Sequence, residues 1–292
     1  MDRSPVPPPW RPASVTTRRG RAAVRLLSRG EPLNPGSFEG TTWVVAAHPG
    51  EESLACGGLI ASLRALGREV RIVFLTSGER SHAKHIAPAV LGPQREAEAL
   101  AAAGALSVPA GHVHFLGVPD GHARRDASRL ESALRALFVT NPPAALLVPG
   151  AAEGDPDLTV ANHLACAARS GAGGEVRVFE YPYWAWRVWP FVRLQPPLPW
   201  LGREEVRDRL GVVSASIRHR LGREFVRRFP LEVDVRPVLE RKAAAVAAHR
   251  SQVEHRNGDR AWWTLEDVNH GDFIRQFFRD RERYRDVARH RR

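Results

Sequence analysis

Two cysteines and one methionine in 292 residues leave this chain little sulfur chemistry. Cys56 and Cys166 both lie in alanine- and glycine-rich apolar surroundings, which reads as two buried free thiols and not a disulfide framework. Two thiols also exclude a zinc site built from cysteines. Long hydrophobic runs are missing as well. Trp43–Ala47 and Ala144–Val148 are far shorter than the roughly 20 residues of a membrane-spanning helix, so no membrane span is expected. The N-terminus carries Arg3 and prolines at 7–9 but no apolar stretch of the kind a secretory signal needs, which leaves the cytoplasm as the expected compartment. Lysine occurs only at Lys84 and Lys242, so the net charge of +11 is an arginine charge. Those arginines are scattered, with concentrations at 18–29, 218–228 and 275–292. The spread reads as composition bias and not as a nucleic-acid footprint, so no nucleic-acid partner is expected.

What is present is a chain with 43% hydrophobic residues, enough to bury a core of its own. Residues 1–40 are rich in proline and arginine and read as a disordered arm with one short helix at Arg19–Leu27. From Thr41 apolar runs alternate with amphipathic stretches. Strands are expected at Thr42–Ala47, Glu69–Leu75, His112–Leu116, Ala144–Pro149 and Val176–Glu180, with helices at Ser53–Leu66, Pro93–Gly104, Ala127–Val139 and Thr159–Arg169 between them. Such alternation predicts βαβ crossovers and an α/β fold, a Rossmann-like three-layer sandwich around a mostly parallel sheet. The aromatic, proline-rich segment from Tyr181 breaks the rhythm. Residues 181–230 read as a lid or insertion that ends in a basic helical stretch, Arg203–Phe229. A strand at Leu231–Val235, a helix at Val238–Gln252 and a helix near Asp272–Arg285 complete a domain spanning 41–290.

Ligands of an open parallel sheet bind beyond the carboxyl ends of its strands. The first such loop reads Ala47-His48-Pro49-Gly50-Glu51-Glu52-Ser53-Leu54-Ala55-Cys56-Gly57-Gly58. An imidazole and two carboxylates so close together can share one divalent ion. They can equally be a turn histidine followed by two acids that favour a helix N-terminus.

This loop resembles, without a gap, the A-H-P-D-D-E-S/T-L-G-C-G-G signature of the LmbE-like (PIG-L) N-acetylglucosaminyl deacetylases. Other pieces follow in that family's order. Leu75–His82 is similar to its T-D-G-E-A-S-H loop, Arg95–Glu98 to its R-x-x-E helix, Leu116–Gly121 to L-G-L-P-D-G, Glu180–Trp186 to E-Y-P-V-W-x-W, and His249–Gln252 to its late S-Q helix. The resemblance covers Thr41 to about Tyr284. It implies an LmbE-like fold and a zinc-dependent hydrolase that removes an acetyl group from a small-molecule amino sugar or glycoconjugate. It also implies zinc held by the first-loop histidine, the second aspartate and a histidine after the fourth strand, with the first aspartate as general base.

By that correspondence His48 and Glu51 are metal ligands, and Gly50, which accepts no proton, stands where the base belongs. The family's H-P-D-H is replaced by Asp155-Pro156-Asp157-Leu158. Aligned on Pro156, both histidines are lost; aligned on Asn162-His163, His163 is the third ligand. Glu52, Asp155 and Asp157 are the carboxylates able to replace the base. Arg95 and Asp120 are candidates for holding the substrate, against a helical pairing of Arg95 with Glu98 and a plain turn at Asp120. His82, His85 and His122 read as solvated loop histidines, and Trp184, Trp186 and Trp189 either stack on a sugar or pack the C-terminal segment. The two altered loops leave a second reading open: a family member that binds a glycan or a protein without turnover.

Overall fold

A computed structural model describes residues 10, 18–27, 30–171, 173–195, 202–259 and 261–288. Chain order begins with α1 (Arg18–Leu27) and a two-residue strand β1 (Glu31–Pro32). Most of the rest of the expected arm, and residues 196–201 of the expected lid, lie outside the described residues.

Next come β2 (Thr41–Ala46), α2 (Glu51–Ala65), β3 (Val70–Phe74), α3 (Pro88–Ala105), β4 (Val113–Phe115), α4 (Ala127–Thr140), β5 (Pro143–Pro149), α5 (Pro156–Ala168) and β6 (Arg177–Tyr181). The apolar runs read as strands are strands because both their faces are covered: Trp43, Val44, Val45 and Ala46 are all fully buried. That is the signature of a parallel strand between helical layers. The remaining elements are α6 (Arg203–Arg218), α7 (Arg223–Arg228), β7 (Leu231–Asp234), α8 (Leu239–Ala248), α9 (Arg250–Val253) and β8 (Arg281–Asp286).

The strands form one eight-stranded sheet in the order β1-β7-β8-β6-β5-β2-β3-β4, with helices on both sides. Strands β4, β3, β2, β5 and β6 pair in parallel, and β8 enters antiparallel between β6 and β7. The Rossmann-like, mostly parallel α/β architecture is therefore as expected. Strand order turns around between β5 and β2, so the ligand crevice of such a sheet lies beyond the carboxyl ends of these two strands. No helix of the described residues is long and apolar enough to cross a membrane.

One expectation at the C-terminal end is corrected. The helix near Asp272–Arg285 is instead a short 3-10 turn, Ile274–Phe278, followed by strand β8. Its side chains alternate in the period of a strand, but both faces are polar, which hid the pattern. Glu282 and Tyr284 turn toward α2, where Glu282 accepts hydrogen bonds from Gly58 N (2.6 Å), Leu59 N (2.8 Å), Lys242 Nζ (2.7 Å) and the Tyr284 hydroxyl (2.8 Å). Arg283 and Arg285 turn the other way, toward Glu232 and Glu180. The basic stretch 203–229 is helical as expected, divided into two helices. Arg220, Leu221 and Gly222 adopt φ of 49°, 53° and 80°, left-handed conformations that end α6 and restart the chain as α7.

The buried glycines of α2 have a packing reason. A β-carbon on Gly58 would lie 2.3 Å from Val235 Cγ1, so only glycine lets the helix lie this close to the segment after β7.

Candidate active site

His48 follows β2, Asp120 lies in the loop after β4, and Asp157 is in the first turn of α5 after β5. Crossovers of a parallel sheet bring all three to one end of it. His48 Nε2 lies 3.0 Å from Asp120 Oδ1 and 3.7 Å from Asp157 Oδ2. On its other edge, Nδ1 lies 3.0 Å from Glu51 Oε1, which also accepts the His48 backbone N–H at 2.9 Å. Glu51 is a fixed support. Its second oxygen accepts from the Tyr181 hydroxyl at 3.1 Å and from Ala47 N at 3.3 Å. With Nδ1 held by a carboxylate, Nε2 is the nitrogen offered to the crevice.

The flanking carboxylates are themselves oriented by backbone donors. Asp120 Oδ2 accepts from Arg80 N (3.2 Å), and the Asp120 N–H is held by Glu79 Oε1 (2.9 Å). Asp157 accepts from Gly121 N (2.8 Å) and Ala123 N (3.3 Å). One imidazole nitrogen and two carboxylate oxygens, all within 4.8 Å of one another, make a donor set that suits a divalent cation. Burial works against the charged imidazole, but hydrogen bonds to Asp120, Asp157 and Glu51 outweigh it and hold His48 well above its ordinary pKa. Burial also acts against Asp120 and Asp157, and the bond each makes to His48 leaves both below the ordinary carboxylate range. Burial dominates at Glu51 and raises it.

Other candidates lie elsewhere. His163 is six residues beyond Asp157 on α5, about 9 Å along the helix axis, and its side chain is exposed. Leu158, at the position aligned with the family's second histidine, is fully buried in the core. Glu52 turns away from His48: its Oε1 bonds His249 Nε2 (2.8 Å) and Ser53 Oγ (2.7 Å), and its Oε2 accepts Gly50 N (2.7 Å). Burial opposes the charge of Glu52, yet the His249 charge and these bonds hold its pKa below the usual value. Asp155 caps α5 through Oδ1, which accepts Asp157 N (2.8 Å) and Leu158 N (3.3 Å). Its other oxygen has no hydrogen bond among the described residues.

Arg95 is not an exposed helical arginine. It is buried, and its guanidinium donates to Pro49 O (2.9 Å) and Gly78 O (2.5 Å), tying the loops after β2 and β3 together. His82, expected in solvent, is instead buried against Trp262 with ring centroids 4.0 Å apart. Trp186 packs between Phe191 and Phe225, so it belongs to the core. Sequence reasoning treated Asp120 as a substrate contact and missed its partnership with His48. The missing signal was tertiary, since β3 lies between the strands that carry the two residues.

Residues 43–169 match the PIG-L family, described as GlcNAc-PI de-N-acetylase. The match spans 127 of the 292 residues and takes in the first loop, whose resemblance to that family it bears out. Among solved structures it is similar to N,N'-diacetylchitobiose deacetylase from Pyrococcus horikoshii, at 17% identity over 94% of both chains with a TM-score of 0.59. It is also similar to GalB, the 4-carboxy-2-hydroxymuconate hydratase from Pseudomonas putida KT2440, at 21% identity over 82% of this chain and 83% of the other, with a TM-score of 0.52. No curated protein sequence matches it. At such identities the likeness establishes the fold. A deacetylase and a hydratase share it, so the reaction has to be argued from side chains.

Proposed function

We propose that this chain is a zinc-dependent de-N-acylase acting on an N-acetylated amino sugar or glycoconjugate in the cytoplasm. The observation that carries the reading is the aim of His48 Nε2 at Asp120 and Asp157 with its far nitrogen locked on Glu51. In this reading the ion is held by His48, Asp120 and Asp157, while Glu51 orients the imidazole and His163 has no part. Bound there, zinc supplies the Lewis acid that polarises the amide carbonyl. Asp155 takes the role of the absent base because it is the nearby carboxylate with an oxygen to spare, and its charge reaches Glu51. Glu52 is too fully engaged by His249 to accept another proton, and Arg95 positions the loops and does not grip substrate.

The test is zinc content of the purified chain together with acetate release from N-acetylglucosamine conjugates. Roughly stoichiometric zinc and turnover that is lost in His48→Ala support the proposal; zinc-free protein with no release after zinc is added sinks it.

One observation favours the second reading, a binding protein without turnover. Gly50 has φ +106°, and the Gln252 side-chain amide fills the space a larger residue would need there. Tight binding of an acetylated glycan with no acetate released would decide for it.

A further inference from the structure

Beside the His48 group, and lined by none of its three members, is a cavity of about 810 Å³. Its floor is the loop after β5 and the 3-10 turn Trp184–Trp186, and its roof is α6 and α7. The volume lies in the range of small-molecule sites. Four arginines face it: Arg187, Arg207, Arg218 and Arg228.

The charges in its wall do not cancel. Asp208 is spent on Arg187, both of its oxygens lying 2.7 Å from Nη2. Asp155 gives Oδ1 to the N–H groups of α5 and keeps its second oxygen, so it leaves one negative charge in the wall against the arginines. Glu153 accepts from Tyr183 N and Ala185 N, each at 3.0 Å, and burial pushes its carboxyl up to about 7, so near neutrality much of its charge is gone. On the positive side, among the described side chains Arg218 bonds only a serine hydroxyl, Ser214 Oγ at 3.4 Å, and Arg207 has no carboxylate partner. Arg228 has a buried Nε with no acceptor, and its nearest carboxylate oxygen, on Glu180, is 3.8 Å away. That oxygen is held more closely by Arg285, at 3.2 Å. Arg207 and Arg218 thus face the shared space without a carboxylate of their own among the described side chains, while Arg228 shares Glu180 with Arg285 and Glu153 with two backbone donors, so positive charge is in excess there. Trp184 and Phe225 supply aromatic wall beside them.

We propose that this cavity is a binding site for a phosphate-bearing small molecule, the phosphate meeting Arg207, Arg218 and Arg228 and the body of the ligand lying against Trp184 and Phe225. Guanidinium forks match the oxygens of a phosphate in pairs, and a dianion answers more of the unmatched charge than a single carboxylate does. The aromatic wall favours an organic phosphate over the inorganic ion. The proposal does not depend on whether the His48 group binds metal or turns anything over.

Calorimetric titration of the whole chain at 0.15 M salt tests it, with phenyl phosphate, inorganic phosphate and phenylacetate as probes. The expected result is one-to-one saturable binding of phenyl phosphate, weaker binding of inorganic phosphate, and at least tenfold weaker binding of phenylacetate. Arg207→Gln combined with Arg218→Gln should weaken phenyl phosphate at least tenfold. Both residues are exposed, so folding should be unaffected, and a far-UV spectrum and melting curve confirm it. Arg129→Gln, on α4, should change the affinity less than twofold. Absence of saturable binding, equal binding by the double variant, or equal binding of phenylacetate overturns the proposal. Loss of binding on adding a chelator also overturns it, because the phosphate would then be on a metal ion.

Discussion

The side-chain amide of Gln252 lies 2.9 Å from the point where a β-carbon on Gly50 would stand. The amide also donates to Pro49 O at 3.0 Å, so it braces the turn it crowds. Gly50 is at φ +106°, a region side chains rarely adopt. The position at which the family resemblance places the general base is therefore closed by backbone conformation and by a neighbour.

Restoring an aspartate there should consequently fail on its own. Gly50→Asp is expected to lose about 1–3 kcal/mol of stability from backbone strain, with no gain in acetate release. Adding Gln252→Ala should recover only the part due to crowding. Urea unfolding of the single and double variants checks both statements, and a stable, active Gly50→Asp protein would contradict them.

Asp155 separates capping from catalysis. Asp155→Asn keeps an oxygen for the N–H groups of Asp157 and Leu158, so stability should change by only a few tenths of a kcal/mol, whereas Asp155→Ala should lose about 1 kcal/mol. If Asp155 is the proton acceptor, both variants should lose about 100-fold or more in kcat. Equal activity of wild type and Asp155→Asn would remove it from the mechanism.

Glu153 gives stability a pH signature. Its folded pKa of about 7 lies above the ordinary 4.5, so between those values the native state binds more protons than the unfolded chain. The contribution of Glu153 therefore falls as pH rises from about 4.5 to about 7 and is flat above, with a full span on the order of 3 kcal/mol. Glu153→Gln should be the less stable protein at pH 5, because one of the N–H groups of Tyr183 and Ala185 then faces an amide NH2. It should gain on wild type by pH 8. Urea midpoints at pH 5, 6, 7 and 8 test the sign; parallel curves would refute it.

The buried pair Lys242–Glu282 should be a sensitive point of the interior outside the site. Lys242 is fully buried and Glu282 nearly so, and the carboxylate also serves two N–H groups of α2. Lys242→Met leaves that charge uncompensated and should destabilise the fold by about 3–5 kcal/mol. Replacing both residues by apolar ones should cost less than adding the two single effects, a coupling that a double-mutant cycle in urea measures.

The apolar runs of β2, β3 and β5 and the spacing of the helices between them made the parallel sheet legible from sequence, because a strand buried on both faces has no polar face to write into its pattern. In the loop after β2 the closeness of His48 and Glu51 was legible, since they are three residues apart. The sequence pairs them as two ligands of one ion, whereas Glu51 bonds the imidazole itself and Asp120 and Asp157 face its other nitrogen. Strand β8 was not legible, since its alternating Arg, Glu and Tyr side chains find partners on Glu232, Lys242 and α2 that lie far away in the chain. The partnership of His48 with Asp120 and Asp157 likewise exists only once β3 is laid between β2 and β4 and the crossovers deliver three loops to one end of the sheet. Chain-local patterns of polarity decided which segments became strands and helices. Which charges meet was decided by packing, because a carboxylate's partner is set by distance in space and sequence separation carries almost no information about it.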